Sequence, residues 1–115
     1  MMRCEPGDII LVRFPFTDLA TSKRRPGLVV SPAEFADRHG DIVLLALTSQ
    51  DQDDEELRLE HWQTAGLPKP TWVKPLVGTL ASSLVERRLG TLDRADEGRV
   101  RAAIERLVAP CFRRA

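Results

Sequence analysis

The chain has little with which to build a metal or redox centre, and no net charge. Its 115 residues include two cysteines and two histidines. Cys4 and Cys111 lie near opposite ends without metal-ligand spacing, so neither a thiolate metal site nor a disulfide framework is expected. No long apolar segment and no secretory leader is evident, which points to reduced thiols, a cytoplasmic setting and no membrane. The 17 basic and 17 acidic residues cancel, so the molecule as a whole attracts nucleic acid weakly and any such binding must come from local clusters. Lys23-Arg24-Arg25, Arg87-Arg88 and Arg113-Arg114 are the basic clusters. Asp51, Asp53, Asp54, Glu55 and Glu56 form an acidic block, read as a solvated loop with one alternative, that it gates substrate beside Thr48.

What is present is apolar content of 43%, enough for one modest core, with no internal repeat and no linker, so residues 1–115 read as a single domain. Short runs of Ile, Val and Leu bounded by Gly, Pro or Asp predict strands at about 8–14, 27–32 and 41–47. Weaker signals fall at 57–60 and 72–80, where Pro75 marks an edge or a bulge. The period then changes. Val100, Ala103, Ile104, Leu107 and Val108 recur at helical spacing behind Asp93, an N-cap, and predict one helix over 94–108 that Pro110 ends. The fold class is mostly β with a terminal helix (α+β), a small, strongly bent sheet or barrel.

The most informative stretch runs from Gly7 to Ser31. Two apolar runs, Ile9-Ile10-Leu11-Val12 and Leu28-Val29-Val30, flank the basic turn Thr21-Ser22-Lys23-Arg24-Arg25, which sets positive charge on a rigid frame suited to a phosphodiester. The run Ile42–Leu47 ends in Thr48-Ser49-Gln50, whose donors could converge on the same anion.

With Gly7-Asp8-Ile9, Arg25-Pro26, Val30-Ser31-Pro32, Leu47-Thr48-Ser49-Gln50, Gly66-Leu67, Trp72-Val73-Lys74 and Gly90-Thr91-Leu92 in that order, the chain resembles the MazF/PemK-type toxins from about Glu5 to Val108. The resemblance implies an SH3-like β-barrel of about five to seven short strands with a C-terminal α-helix, a homodimer, and cleavage of single-stranded RNA without metal or cofactor. It implies Arg25 and Thr48 as catalytic residues. Around them Lys23, Arg24, Phe16, Thr17, Ser49, Gln50 and Lys74 are the candidates to contact substrate. The implied partner is a cognate antitoxin whose disordered acidic segment fills the RNA groove. Two stretches depart from the common family pattern. Phe16-Thr17-Asp18-Leu19-Ala20-Thr21-Ser22 fills the first loop, so base recognition there is expected to differ. Leu76-Val77-Gly78-Thr79-Leu80-Ala81 stands where the family commonly has Gln, Arg-Thr and Asp, so contacts from those side chains are lost.

Cutting RNA without a metal requires removal of the 2′-OH proton, stabilisation of the charge on the phosphorane, and protonation of the leaving 5′-oxygen. Arg25 suits the second task, because a guanidinium stays charged and offers a planar fork to two oxygens; the same property makes it a poor base. Thr48 can donate its hydroxyl to a non-bridging oxygen, although Thr-Ser-Gln-Asp is also ordinary turn composition. His39 and His61 have the pKa for acid–base work but sit in separate loops. Phe14, Phe16, Trp62 and Trp72 are candidates to stack on bases, Phe16 first among them. Two rival readings remain: a non-enzymatic inhibitor on the same fold, like the CcdB-type gyrase poisons, or a catalytically weak binding module. The former end in Trp-Gly-Ile, whereas this chain ends Cys111-Phe112-Arg113-Arg114-Ala115.

Overall fold

The computed structural model describes residues 3–14 and 23–112. Phe16, Thr17, Asp18 and the Arg113-Arg114 pair lie outside them. Six antiparallel strands form one sheet: β1 (Asp8–Phe14), β2 (Lys23–Val29), β3 (Asp41–Thr48), β4 (Arg58–Leu59), β5 (Thr71–Ala81) and β6 (Val85–Thr91), in the spatial order β4-β5-β3-β2-β1-β6. The sheet curls into a half-barrel. Helix α1 (Ala33–His39) joins β2 to β3, and helix α2 (Arg94–Val108) follows β6.

The apolar runs are continuous rather than alternating because both faces of this sheet are covered. Ile9, Leu28, Leu45, Leu47 and Val73 point to one side and pack with Leu59, Ala65, Leu67 and Val100 of α2. Their neighbours Ile10, Val12, Val29, Leu44 and Ala46 point to the other, where Cys4, Ile42 and Leu80 complete a second cluster against Ala36 of α1. Burial and the nearby Asp8 raise the Cys4 thiol's pKa, which keeps it neutral in this core.

Helix α2 has the predicted bounds, and Asp93 caps it by accepting the Ala95 amide at 2.8 Å. Its second anchor is Asp96, whose buried carboxylate accepts the amides of Glu60 (3.1 Å) and His61 (2.9 Å) and pairs with Arg99. These bonds fasten the 60–70 loop to the helix. The same loop is fastened to β6 by backbone contact. A Cβ on Gly66 would stand 2.0 Å from the Leu89 carbonyl oxygen, and one on Gly90 would stand 2.3 Å from that of Ala65, so only glycine fits at either position.

Three elements differ from the sequence reading. Strand β2 begins at Lys23 rather than 27, so Lys23, Arg24 and Arg25 belong to a strand paired with Phe14, Arg13 and Val12 of β1, not to a loop. Helix α1 was not expected. Its seven residues are too few to display a period, and they place His39 at a helix end, its ring centre 4.6 Å from that of Phe35 and tilted 42° to it. Strand β6 carries Glu86-Arg87-Arg88, a polar sequence on a sheet edge that gives no apolar alternation to read.

Candidate nucleic-acid cleft

The site arises where β2 and β3 part. Their ladder runs from Val29–Leu44 to Gly27–Ala46 and then stops, because Pro26 has no amide to donate. On the other side of β3 the register with β5 slips between Leu45–Val77 and Leu47–Val73, a bulge that contains Lys74, Pro75 and Leu76. A proline thus interrupts the pairing on each side of β3 at nearly the same level. The β2–β3 register carried two residues further sets Arg25 level with Thr48, on either side of the opening.

A cleft of about 630 Å³ occupies this split. Arg24, Arg25 and Pro26 of β2 line it, as do Ala46 and Leu47 with Thr48, Ser49 and Gln50 at the end of β3. Strand β5 contributes Thr71, Lys74 and Leu76, the 60–70 loop contributes Gly66–Lys69, and β6 contributes Arg87 and Leu89. The structure therefore brings together Arg25, Thr48, Arg24, Ser49, Gln50 and Lys74 as the sequence predicted. The backbone of Lys23 continues β2 beside them. Lys69 and Arg87 were missed as site residues.

The charge of the cleft is one-sided. No carboxylate or imidazole lines it among the described residues. Arg25, Lys69, Lys74 and Arg87 have no acidic partner among those residues, whereas most of the remaining arginines are paired. Arg24 is the exception within the cleft. It lies directly across from Arg13, and Glu86 bridges the two, one carboxylate oxygen 3.0 Å from each guanidinium. Strand alternation likewise separates the neighbours on β6: Arg88 turns away to Asp8 (3.1 Å) and the Arg3 carbonyl (3.0 Å), and Arg87 faces the cleft.

Thr48 is half-buried, and its Oγ1 accepts the Gln50 amide at 3.1 Å. This is the turn that its composition suggests, and it aids rather than opposes a chemical role. With one lone pair engaged, the hydroxyl is oriented and its hydrogen remains available to an anion.

The other candidates lie elsewhere. Of the acidic block, Glu55 and Glu56 face α2, where Glu56 pairs with Arg106 and the Glu55 carbonyl accepts from Arg99 at 2.9 Å; Asp54 caps the short turn Glu55–Leu57, and Asp51 accepts the Asp53 amide within the loop. None of the block lines the cleft among the described residues. His39 and His61 are outside it too. Trp62 packs against the core beneath α2, and Trp72 lies under the Arg58 guanidinium, 5.7 Å from ring centre to carbon.

The chain matches the family model described as PemK-like, MazF-like toxin of type II toxin-antitoxin systems over residues 5–108. No curated protein sequence matches it. Among solved structures it resembles MazF in the MazE-MazF complex from Deinococcus radiodurans (19% identity, 94% of this chain and 98% of that one, TM-score 0.73). A mycobacterial endoribonuclease in complex with its cognate antitoxin is similar at 16% identity (95% and 96%, TM-score 0.67), and the Mycobacterium tuberculosis toxin MazF-mt6 at 19% (86% and 93%, TM-score 0.66). The family match spans both strands that carry Arg25 and Thr48. The chain belongs to the PemK-like, MazF-like toxin family of type II toxin-antitoxin systems.

Proposed function

We propose that this protein is a cytoplasmic endoribonuclease that cuts single-stranded RNA by attack of the 2′-OH on the adjacent phosphorus, leaving a 2′,3′-cyclic phosphate. The observation that carries the reading is a cleft with four cations free of acidic partners and an oriented threonine hydroxyl, with no carboxylate among its described residues. In the reaction Arg25 holds two non-bridging oxygens and stabilises the dianionic phosphorane, and Thr48 donates a hydrogen bond to the same centre. Lys74, with Ser49 and Gln50, holds the adjoining backbone. No histidine or carboxylate lines the cleft among the described residues, so proton removal falls to solvent or to the substrate's own phosphate. The toxin acts as a homodimer, and a cognate antitoxin silences it by laying an acidic segment over these cations.

Incubation of purified protein with defined single-stranded RNA in EDTA, followed by end-group analysis, tests the reading. Cyclic phosphate and 5′-hydroxyl ends are expected. Arg25→Ala should lower the rate about a hundredfold, on the order of 3 kcal/mol, and Arg25→Lys should restore little of it. Binding without cutting would identify a binding module, and an unchanged rate in folded Arg25→Ala would refute the assignment.

A further inference from the structure

We infer that Arg87 and Lys69 form a second phosphate site in the cleft, one that positions the RNA strand beside the scissile linkage; this rests on the ribonuclease reading above. The two residues come from elements far apart in sequence that are locked together. Arg87 lies opposite Leu11 on β6, two residues before Leu89, and both β6 residues face the cleft. The Leu89 carbonyl is the group against which Gly66 packs, and three residues beyond Gly66 stands Lys69. Lys69 is itself fixed at the main chain, where its carbonyl accepts the Thr71 hydroxyl at 2.8 Å, and Thr71 is buried. One rigid wall therefore presents two cations, neither with an acidic partner among the described residues.

The position of that wall suits a polymer. Arg25 on β2 sits opposite Val12, and Arg87 on β6 sits opposite Leu11, so the two arginine backbones flank β1 at about 10 Å, two strand spacings; alternation starts their side chains from opposite faces of the sheet, and both residues line the cleft. Long side chains reaching from such positions engage phosphates one or two linkages apart. A mononucleotide would leave one of the two unused. Arg87 and Lys69 hence act as positioning residues, outside the reacting atoms, and contribute to binding in proportion to the phosphates they neutralise.

The test measures binding of an uncleavable 2′-O-methyl oligonucleotide by fluorescence anisotropy across a series of salt concentrations, with turnover of the cleavable RNA in parallel. Arg87→Gln should reduce the slope of log K against log salt by about 0.7, and Arg87→Gln with Lys69→Gln by about 1.4. Arg87→Lys should restore the slope, because a point charge suffices. Turnover of either glutamine variant should show a raised KM at nearly unchanged kcat. Arg38→Gln, an exposed cation on α1 outside the cleft, is the control and should leave the slope unaltered. If wild type binds and cuts but the Arg87 and Lys69 variants keep its slope while melting normally, this inference fails and the ribonuclease reading stands. An equal fall with Arg38→Gln also overturns it, as does a loss confined to an acidic competitor such as polyglutamate. If wild type neither binds nor cuts RNA, both fail.

Discussion

Substitution of Gly66 by alanine isolates the contact that holds the 60–70 loop on β6. Two costs add. The residue has φ +83°, where an alanine loses about 1–2 kcal/mol. Its Cβ would also stand 2.0 Å from the Leu89 oxygen and 2.6 Å from the carbonyl carbon, so loop and strand must separate by more than 1 Å to reach ordinary contact at 3.4 Å. Both groups are backbone, with no rotamer to yield, and forced overpacking of this kind costs about 1–3 kcal/mol. The sum, about 2–5 kcal/mol, is a large part of the 5–15 kcal/mol typical of a domain, and at this chain length corresponds to a melting temperature lower by about 10–20 °C. Three companion variants separate the terms. Gly40 has φ +72° with nothing near its Cβ, so Gly40→Ala carries the conformational cost alone, about 1–2 kcal/mol. Gly90→Ala carries the steric cost without a positive φ. Gly98, inside α2 with open space around it, should give a more stable protein as alanine, by about 0.5–1 kcal/mol. Urea unfolding of the four variants reads these differences directly. A Gly66→Ala protein no less stable than Gly40→Ala would refute the claim that the backbones meet.

Three further outcomes follow from the geometry. Thr48→Ser should retain most cleavage and Thr48→Ala should lose it, since both Thr and Ser supply the hydroxyl; equal losses in single-turnover assays would assign Thr48 to packing instead. Asp96→Ala should lower stability by about 3 kcal/mol in chemical unfolding, because it strands the amides of Glu60 and His61 and the Arg99 guanidinium; a change under 1 kcal/mol would contradict this. The Ala95 amide and then the Thr64 hydroxyl hold the Asp93 carboxyl below its ordinary value of 3.8, so its ionised form favours the fold. That contribution is whole above the ordinary value and fades as pH falls through the lowered one, so the acid limb of the stability curve should be shallower in Asp93→Asn than in wild type.

The sequence was most readable where one force acted alone. In α2 the apolar period, the Asp93 cap and the break at Pro110 agree, and the helix has the expected bounds. The strands β1 and β3 are readable as continuous apolar runs because both faces are covered, and Pro75 lies in a bulge because it cannot join a ladder. Strand β6 was not legible: Glu86 and Arg88 are spent on ion pairs with neighbours distant in sequence, and Arg87 on the cleft, so nothing in Val85–Thr91 alternates by hydrophobicity. Arg25 and Thr48 were singled out by family likeness, and the ladder carried two residues past Gly27–Ala46 sets residue 25 level with residue 48. Lys69 and Arg87 escaped because their common wall depends on a glycine–carbonyl contact between segments more than twenty residues apart, which leaves no local pattern.

The two prolines that open the sheet around β3 have a consequence for how such a cleft responds to change. A pyrrolidine nitrogen lacks its hydrogen at every pH, ionic strength and redox potential, so neither Pro26 nor Pro75 needs a titratable group to keep the pairing interrupted. Shape and charge are therefore separable properties here. Exchange of Lys69, Lys74 or Arg87 for other residues would redraw the electrostatic map while the aperture stays where it is, leaving a mouldable ligand preference on a frame whose geometry is covalent in origin.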